Sequence, residues 1–139
     1  MMTSRDQQLL AIRPIISSII ITDKMSNEEH FQNITLRPVI KLQNDLLIEV
    51  FKNYITKHKN VFYQLTLERR LHYIENAIQK DIKFRNALKG MVIGQFTTDE
   101  YLKYIENSSA LNKRMMNIVK QRLQNNIQLF EKTEILKAV

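Results

Sequence analysis

Residues 33–56 read N-I-T-L-R-P-V-I-K-L-Q-N-D-L-L-I-E-V-F-K-N-Y-I-T, and the spacing of their apolar side chains decides the fold class. Leu36, Val39, Ile40, Leu42, Leu46, Leu47, Ile48, Val50, Phe51, Tyr54 and Ile55 recur at helical intervals and cover too wide an arc for one narrow seam. A helix with such a broad apolar face is buried on most sides, so shorter amphipathic helices are expected around it. Thr35 is expected to be its N-cap, which sets Pro38 in the first turn, where a missing N–H costs little.

Upstream, Ser26-Asn27-Glu28-Glu29 matches a capping box and predicts a short helix from Asn27 to about Asn33. Propensity leaves two options for its end, a kink at Pro38 that joins it to the next helix or a turn near Ile34. Residues 6–12 suit a short helix that must stop before Pro14, because the residue before a proline disfavours the helical region. Residues 15–21, I-I-S-S-I-I-I, are β-branched and uncharged and predict an extended arm. Its isoleucines, Ile15, Ile16, Ile19, Ile20 and Ile21, need a cover, either the arm's own bundle or a second copy of the chain. The expected division is an arm over residues 1–25 and a helical bundle domain over 26–139.

Downstream, the polar stretch Lys57-His58-Lys59-Asn60 breaks the helix. Thr66 then offers a cap, and Leu67, Leu71, Ile74 and Ile78 follow at helical spacing. Asp81 offers the next cap, before Phe84, Leu88, Met91 and Val92. Gly94 is expected to end that helix and Gly90 to let a neighbour come close. Thr97 and Glu100 form a second capping box, with Phe96 and Tyr101 at the positions of a hydrophobic staple. After Asn107-Ser108-Ser109, a long last helix carries Leu111, Met115, Ile118, Val119, Leu123, Ile127 and Phe130 on its apolar face. Residues 131–139 either continue that helix or fray.

Composition agrees with this pattern. Two glycines and two prolines in 139 residues supply too little turn chemistry for a sheet of many hairpins. The longest uncharged apolar run, residues 14–22, is far short of the roughly 20 residues of a membrane-spanning helix, so no span is expected. A secretory leader is disfavoured by Arg13-Pro14 in its apolar region and by the lack of an A-x-A site. The chain has no cysteine, which excludes disulfides and thiolate chemistry and suits a reducing cytoplasm.

The net charge of +7 resides in two tracts, with eight basic residues against three acidic over 57–89 and six against two over 111–139. Basic tracts attract nucleic acid or acidic proteins, although solvated lysines on helix backs are the commoner explanation. The candidate contacts to a nucleic-acid backbone are Lys80, Lys83, Arg85 and Lys89. Catalytic chemistry is poorly represented. His30, His58 and His72 do not pair at i, i+3 or i+4, and no G-x-S-x-G, Walker loop, G-x-G-x-x-G or H-E-x-x-H occurs. Carboxylate pairs such as Glu28-Glu29 and Asp99-Glu100 lie where helix starts favour negative charge. No catalytic, cofactor or metal residue is assigned, and no cofactor is expected.

The blocks F-Q-N-I-T-L-R-P-V-I-K-L-Q-N-D-L-L (31–47), K-N-V-F-Y-Q-L (59–65), G-Q-F-T-T-D-E-Y (94–101) and L-N-K-R (111–114) resemble a group of small uncharacterised bacterial proteins, some labelled "glyoxalase". The resemblance implies a common fold over about residues 5–130. The label would imply a metal-dependent lyase with histidine and glutamate ligands, and no position here matches such a ligand set. The sequence as a whole predicts an all-α, single-domain bundle of about five to six helices with an apolar N-terminal arm. The expected function is non-enzymatic binding in the cytoplasm, to a protein partner or a second copy. Nucleic-acid binding is the alternative, and a glyoxalase-type lyase comes third.

Overall fold

The computed structural model describes residues 2–131, so the expectations for residues 132–139 lie outside the described residues. All regular structure among the described residues is helical. The α-helical segments are α1 (Ser4–Ile12), α2 (Asn27–Phe31), α3 (Arg37–Leu42), α4 (Asn44–Lys57), α5 (Leu67–Lys80), α6 (Ile82–Ile93), α7 (Thr98–Glu106) and α8 (Ser108–Asn125). A π turn, Gln32–Leu36, joins α2 to α3 without a break, so the eight segments make seven rods, slightly more than the five to six expected. Short 3₁₀ turns at Val61–Gln64 and Ile127–Leu129 complete the order.

Helix starts follow the caps read from the sequence. The hydroxyls of Ser26, Thr66 and Thr97 accept from the amides of Glu29, Arg69 and Glu100, and Asp81 accepts from Phe84. At Thr97 the box is complete, because the Glu100 carboxylate accepts from the Thr97 amide at 2.8 Å. Thr35 is the exception. It is buried inside the π turn and caps nothing. Pro38 has no N–H to give, and in a regular α-helix its ring would meet the carbonyl four residues earlier. Widening the preceding turn, with the Arg37 amide bonded to the Gln32 carbonyl, lets the helix run through the proline. Between the two options for this junction, the chain takes continuity.

Residues 33–56 are not one central helix. Backbone torsions at Gln43 of −86° and 2° interrupt it, and the Gln43 side chain donates to the Met91 carbonyl of α6 at 2.9 Å. The element in contact with most others is α8, which meets the π turn and α3 to α7. Leu36, Val39 and Ile40 on one side of the break and Leu47, Ile48, Phe51 and Ile55 on the other are all buried. Phe51 is the aromatic centre, with ring centroids 4.9 Å from Phe130, 5.7 Å from Phe62, and 6.3 Å from both Tyr73 and Phe84. A second group, Phe31, Phe96 and Tyr104, links α2 to α7.

Two local expectations are corrected. Tyr101 remains exposed, and the ring contacts of Phe96 run to Phe31 and Tyr104, so the staple pairs Phe96 with the interior rather than with Tyr101. A methyl group at Gly90 would meet nothing, whereas one at Gly94 would come 3.0 Å from the Gly90 carbonyl oxygen, so Gly94 is the position that lacks space.

The Phe51 ring is fully buried, so Phe51→Ala is expected to cost about 3 to 5 kcal/mol, read as a lowered urea midpoint. Thr97→Ala removes one cap oxygen and is expected to cost about 1 kcal/mol in the same measurement.

Candidate functional site

The N-terminal helix carries no apolar stripe, and Asp6 is its one buried residue. It docks through polar groups aimed at two helix ends. Arg5 donates to the carbonyls of Phe96 at 2.9 Å and Gly94 at 3.0 Å, just past the end of α6, where the dipole is negative. Asp6 accepts from the Thr98 hydroxyl at 2.6 Å and from the Thr98 amide at 3.2 Å, at the positive start of α7. Arg13, at the C-cap of α1, forms a fork onto Glu100 at 2.6 and 2.9 Å and also donates to the Gln95 carbonyl. Thr35 in the π turn donates to the same Glu100 carboxylate at 2.8 Å. Residues 1–25 therefore contain the short helix expected before Pro14, docked on the bundle, as well as the arm.

These contacts set the protonation of the carboxylates. The Thr98 hydroxyl lowers Asp6 most, burial opposes it, and the Thr98 amide and Arg5 add to the lowering. Burial pushes Glu100 up, but Arg13, the Thr97 amide and the Thr35 hydroxyl outweigh it and hold the group below the ordinary carboxylate range. At Asp81 the Phe84 amide lowers the carboxyl most and the Tyr54 hydroxyl next. Tyr54 in turn is pushed up, by burial first and by Asp81 second.

Past α1 the chain turns at Ser17 and Ser18 and the arm divides in two. Ile15 is 91% exposed, Ile20 71% and Ile21 44%, whereas Ile16 and Ile19 are half-buried. Both half-buried isoleucines line a hollow of about 510 Å³ between the arm, α8 and the π-turn region. A larger hollow of about 710 Å³ lies beside α2 and α7, among Glu28, His30, Thr35, Glu100, Lys103 and Glu106. A third, of about 430 Å³, adjoins the first and shares Arg37, Ile118 and Gln121 with it.

The predicted basic residues do not come together as one surface. Lys80 ends α5 and is exposed; Lys83 on α6 is exposed, while Arg85 and Lys89 are half-buried. An advance of about 100° per residue puts Arg85 and Lys89 on one side of α6 and Lys83 well round from them. The histidines are scattered as well. His58 stacks on Tyr54 at 4.1 Å, His30 borders the larger hollow, and His72 is exposed on α5. Among the described residues, no three metal-ligating side chains gather at one point.

The sequence did not single out Arg37 and Arg122, which the fold places in the same hollow. Their spacing of 85 positions carries no local signal; only the i, i+4 pair Asn33 and Arg37 hints at a shared face. No family model, no curated protein and no solved structure matches the chain.

Because the carboxylates of Asp6, Asp81 and Glu100 are lowered in the folded state, their stabilisation is complete above the ordinary values of 3.8 and 4.5. It is lost as pH falls through the lowered values. Melting temperature is therefore expected to be level in this respect down to about pH 5 and to fall below it. Glu100→Gln is expected to lose about 3 kcal/mol at neutral pH, since Arg13 is left buried beside a neutral partner, and to show a shallower acid decline. Thermal melts of both proteins from pH 7 to pH 2 check this.

Proposed function

We propose that the protein is a non-enzymatic helical interaction module whose arm pairs with that of a second copy. The observation that carries this is the outward half of the arm, where Ile15, Ile20 and Ile21 form an uncharged and uncovered apolar edge. Burying an isoleucine stabilises by about 1.5 to 3 kcal/mol, so three left in water favour association. A two-fold axis covers both arms by one repeated contact, because a symmetric interface presents the same patch from each copy. A second uncovered ridge, Tyr101, Leu102 and Ile105 on α7, offers a surface for a further protein partner. Nucleic-acid backbone binding by Lys80, Lys83, Arg85 and Lys89 is the second reading. It draws on the charge of α5 and α6 but lacks a single basic face. A glyoxalase-type lyase is the third. The absence of cysteine fits a cytoplasmic setting for each.

Light scattering on the full chain at micromolar concentration is expected to give the mass of a dimer. The variant Ile15→Ser, Ile20→Ser, Ile21→Ser is expected to be a monomer with an unchanged melting temperature. A wild-type chain that is monomeric and stays soluble would overturn the dimer.

A further inference from the structure

We infer that the hollow between the arm and α8 binds a small phosphate monoester with an aliphatic body. The inference goes beyond the dimer, because it rests on Ile16, Ile19 and the two helix faces, with Ile20 alone shared between the rim of the hollow and the outward edge. Two helix faces build the floor. Ile118, Gln121, Arg122 and Asn125 stand at i, i+3, i+4 and i+7 on α8, and Asn33 and Arg37 stand one turn apart across the π turn. The arm lines one side of the hollow.

The charge balance of the hollow is one-sided. Two arginines line it, and neither aspartate nor glutamate does. Most other half-buried guanidinium groups in this fold are committed to the protein. Arg13 is held by Glu100, Arg114 by Glu28 and Gln32, and Arg70 by the carbonyls of Tyr63 and Leu65. Arg37 makes one bond, to the Asn33 side-chain oxygen at 3.2 Å, and the Arg122 guanidinium makes none among the described residues. Neither has a carboxylate within ion-pair reach among the described residues. Two guanidinium forks in a half-buried hollow match one dianion, and a phosphate monoester carries about 1.5 to 2 negative charges at neutral pH. The amides of Gln121 and Asn125 add neutral donors beside the forks.

The remaining lining decides the rest of the ligand. Ile16, Ile19, Ile20 and Ile118 make the lining aliphatic on one side, and no aromatic ring lines the hollow. Without a ring there is no platform for a nucleobase, which excludes nucleotides and single-stranded nucleic acid as the favoured ligand. A volume of about 510 Å³ suits a small molecule rather than a peptide segment. The adjoining hollow is less suited to an anion, because Glu28 lines it beside Arg114.

Calorimetric titration of the full chain with hexyl phosphate tests the assignment, with inorganic phosphate, hexanoate and hexyl glucoside as comparators. Hexyl phosphate is expected to bind saturably, inorganic phosphate and hexanoate at least tenfold more weakly, and hexyl glucoside not at all. Arg122→Gln is expected to weaken hexyl phosphate at least tenfold while leaving the melt unchanged, because that guanidinium holds nothing in the protein. Ile19→Ser is expected to weaken hexyl phosphate but not inorganic phosphate, and Arg69→Gln, at an exposed arginine outside the hollow, to change neither. No heat with hexyl phosphate, equal affinity for hexyl glucoside or hexanoate, or wild-type affinity in Arg122→Gln would overturn the assignment. None of these outcomes bears on the dimer, which light scattering reads separately.

Discussion

The Glu100 carboxylate accepts four hydrogen bonds from three separate parts of the chain. Two come from Arg13 at the end of α1, one from Thr35 in the π turn, and one from the amide of Thr97 at the start of its own helix. A carboxylate offers about four acceptor sites, so this one is saturated. Saturation is what makes its burial tolerable. Removing a charge from water costs several kcal/mol, and only partners with good geometry offset that cost. Here one partner is a cation in a fork, one a backbone amide that would otherwise be an orphan at a helix start, and one a hydroxyl that itself is buried. The three parts thereby meet at a single group, beside the ring contacts of Phe31, Phe96 and Tyr104 that also join α2 to α7.

Local chemistry was legible in the sequence, and distant chemistry was not. The caps at Ser26, Thr66, Asp81 and Thr97 are satisfied within three residues of chain, so the residues that predict them are also the residues that make them. The docking of α1 depends on bonds such as Arg5 to the Phe96 carbonyl, 91 positions apart, and no spacing rule reaches that far. The same holds for Arg37 and Arg122, which sit together because α3 and α8 pack, not because of any motif. Thr35 failed for a different reason. Its hydroxyl suits a cap, and the proline three residues on suits a first turn, so both local signals agreed on a helix start. The chain enters already helical from Asn27, and a wider turn accommodates the proline without a break.

Periodicity found the core but not its centre. The apolar positions from Leu111 to Leu123 lie on one face of α8 as their spacing predicts, but the helix ends at Asn125 and leaves Ile127 and Phe130 beyond it, and α8 rather than residues 33–56 is the helix that meets most of the others. A broad apolar arc signals burial on several sides, and Gln43 divides that arc between two shorter helices with different neighbours. In α7 the converse occurs. Leu102 and Ile105 look like core positions and are more than half exposed, because the interior side of that helix is taken by Tyr104. Apolar spacing thus predicts that a surface will be covered, not which molecule covers it. In the arm both outcomes meet within seven residues, with Ile16 and Ile19 turned to the bundle, Ile15 and Ile21 left out, and Ile20 exposed at the rim of the hollow.

The π turn connects the docked helix to the hollow. Thr35 within it is held by Glu100, and Arg37 directly after it bonds through its amide to the Gln32 carbonyl and through its side chain to Asn33. Both ends of that short stretch are thus tied, one to the clamp on α1 and the other to the floor of the hollow. A regular α-helical turn would rotate the following residues relative to the preceding ones, because its hydrogen bonds close on one residue fewer. Asn33 and Arg37, four residues apart, share a face in either kind of turn, so what the wide turn changes is the rotation of α3 against α2. The proline at position 38 keeps the wide turn in place, since the narrower alternative brings its ring onto a carbonyl. The proline that suits an ordinary helix start therefore sets the rotation of α3 against α2.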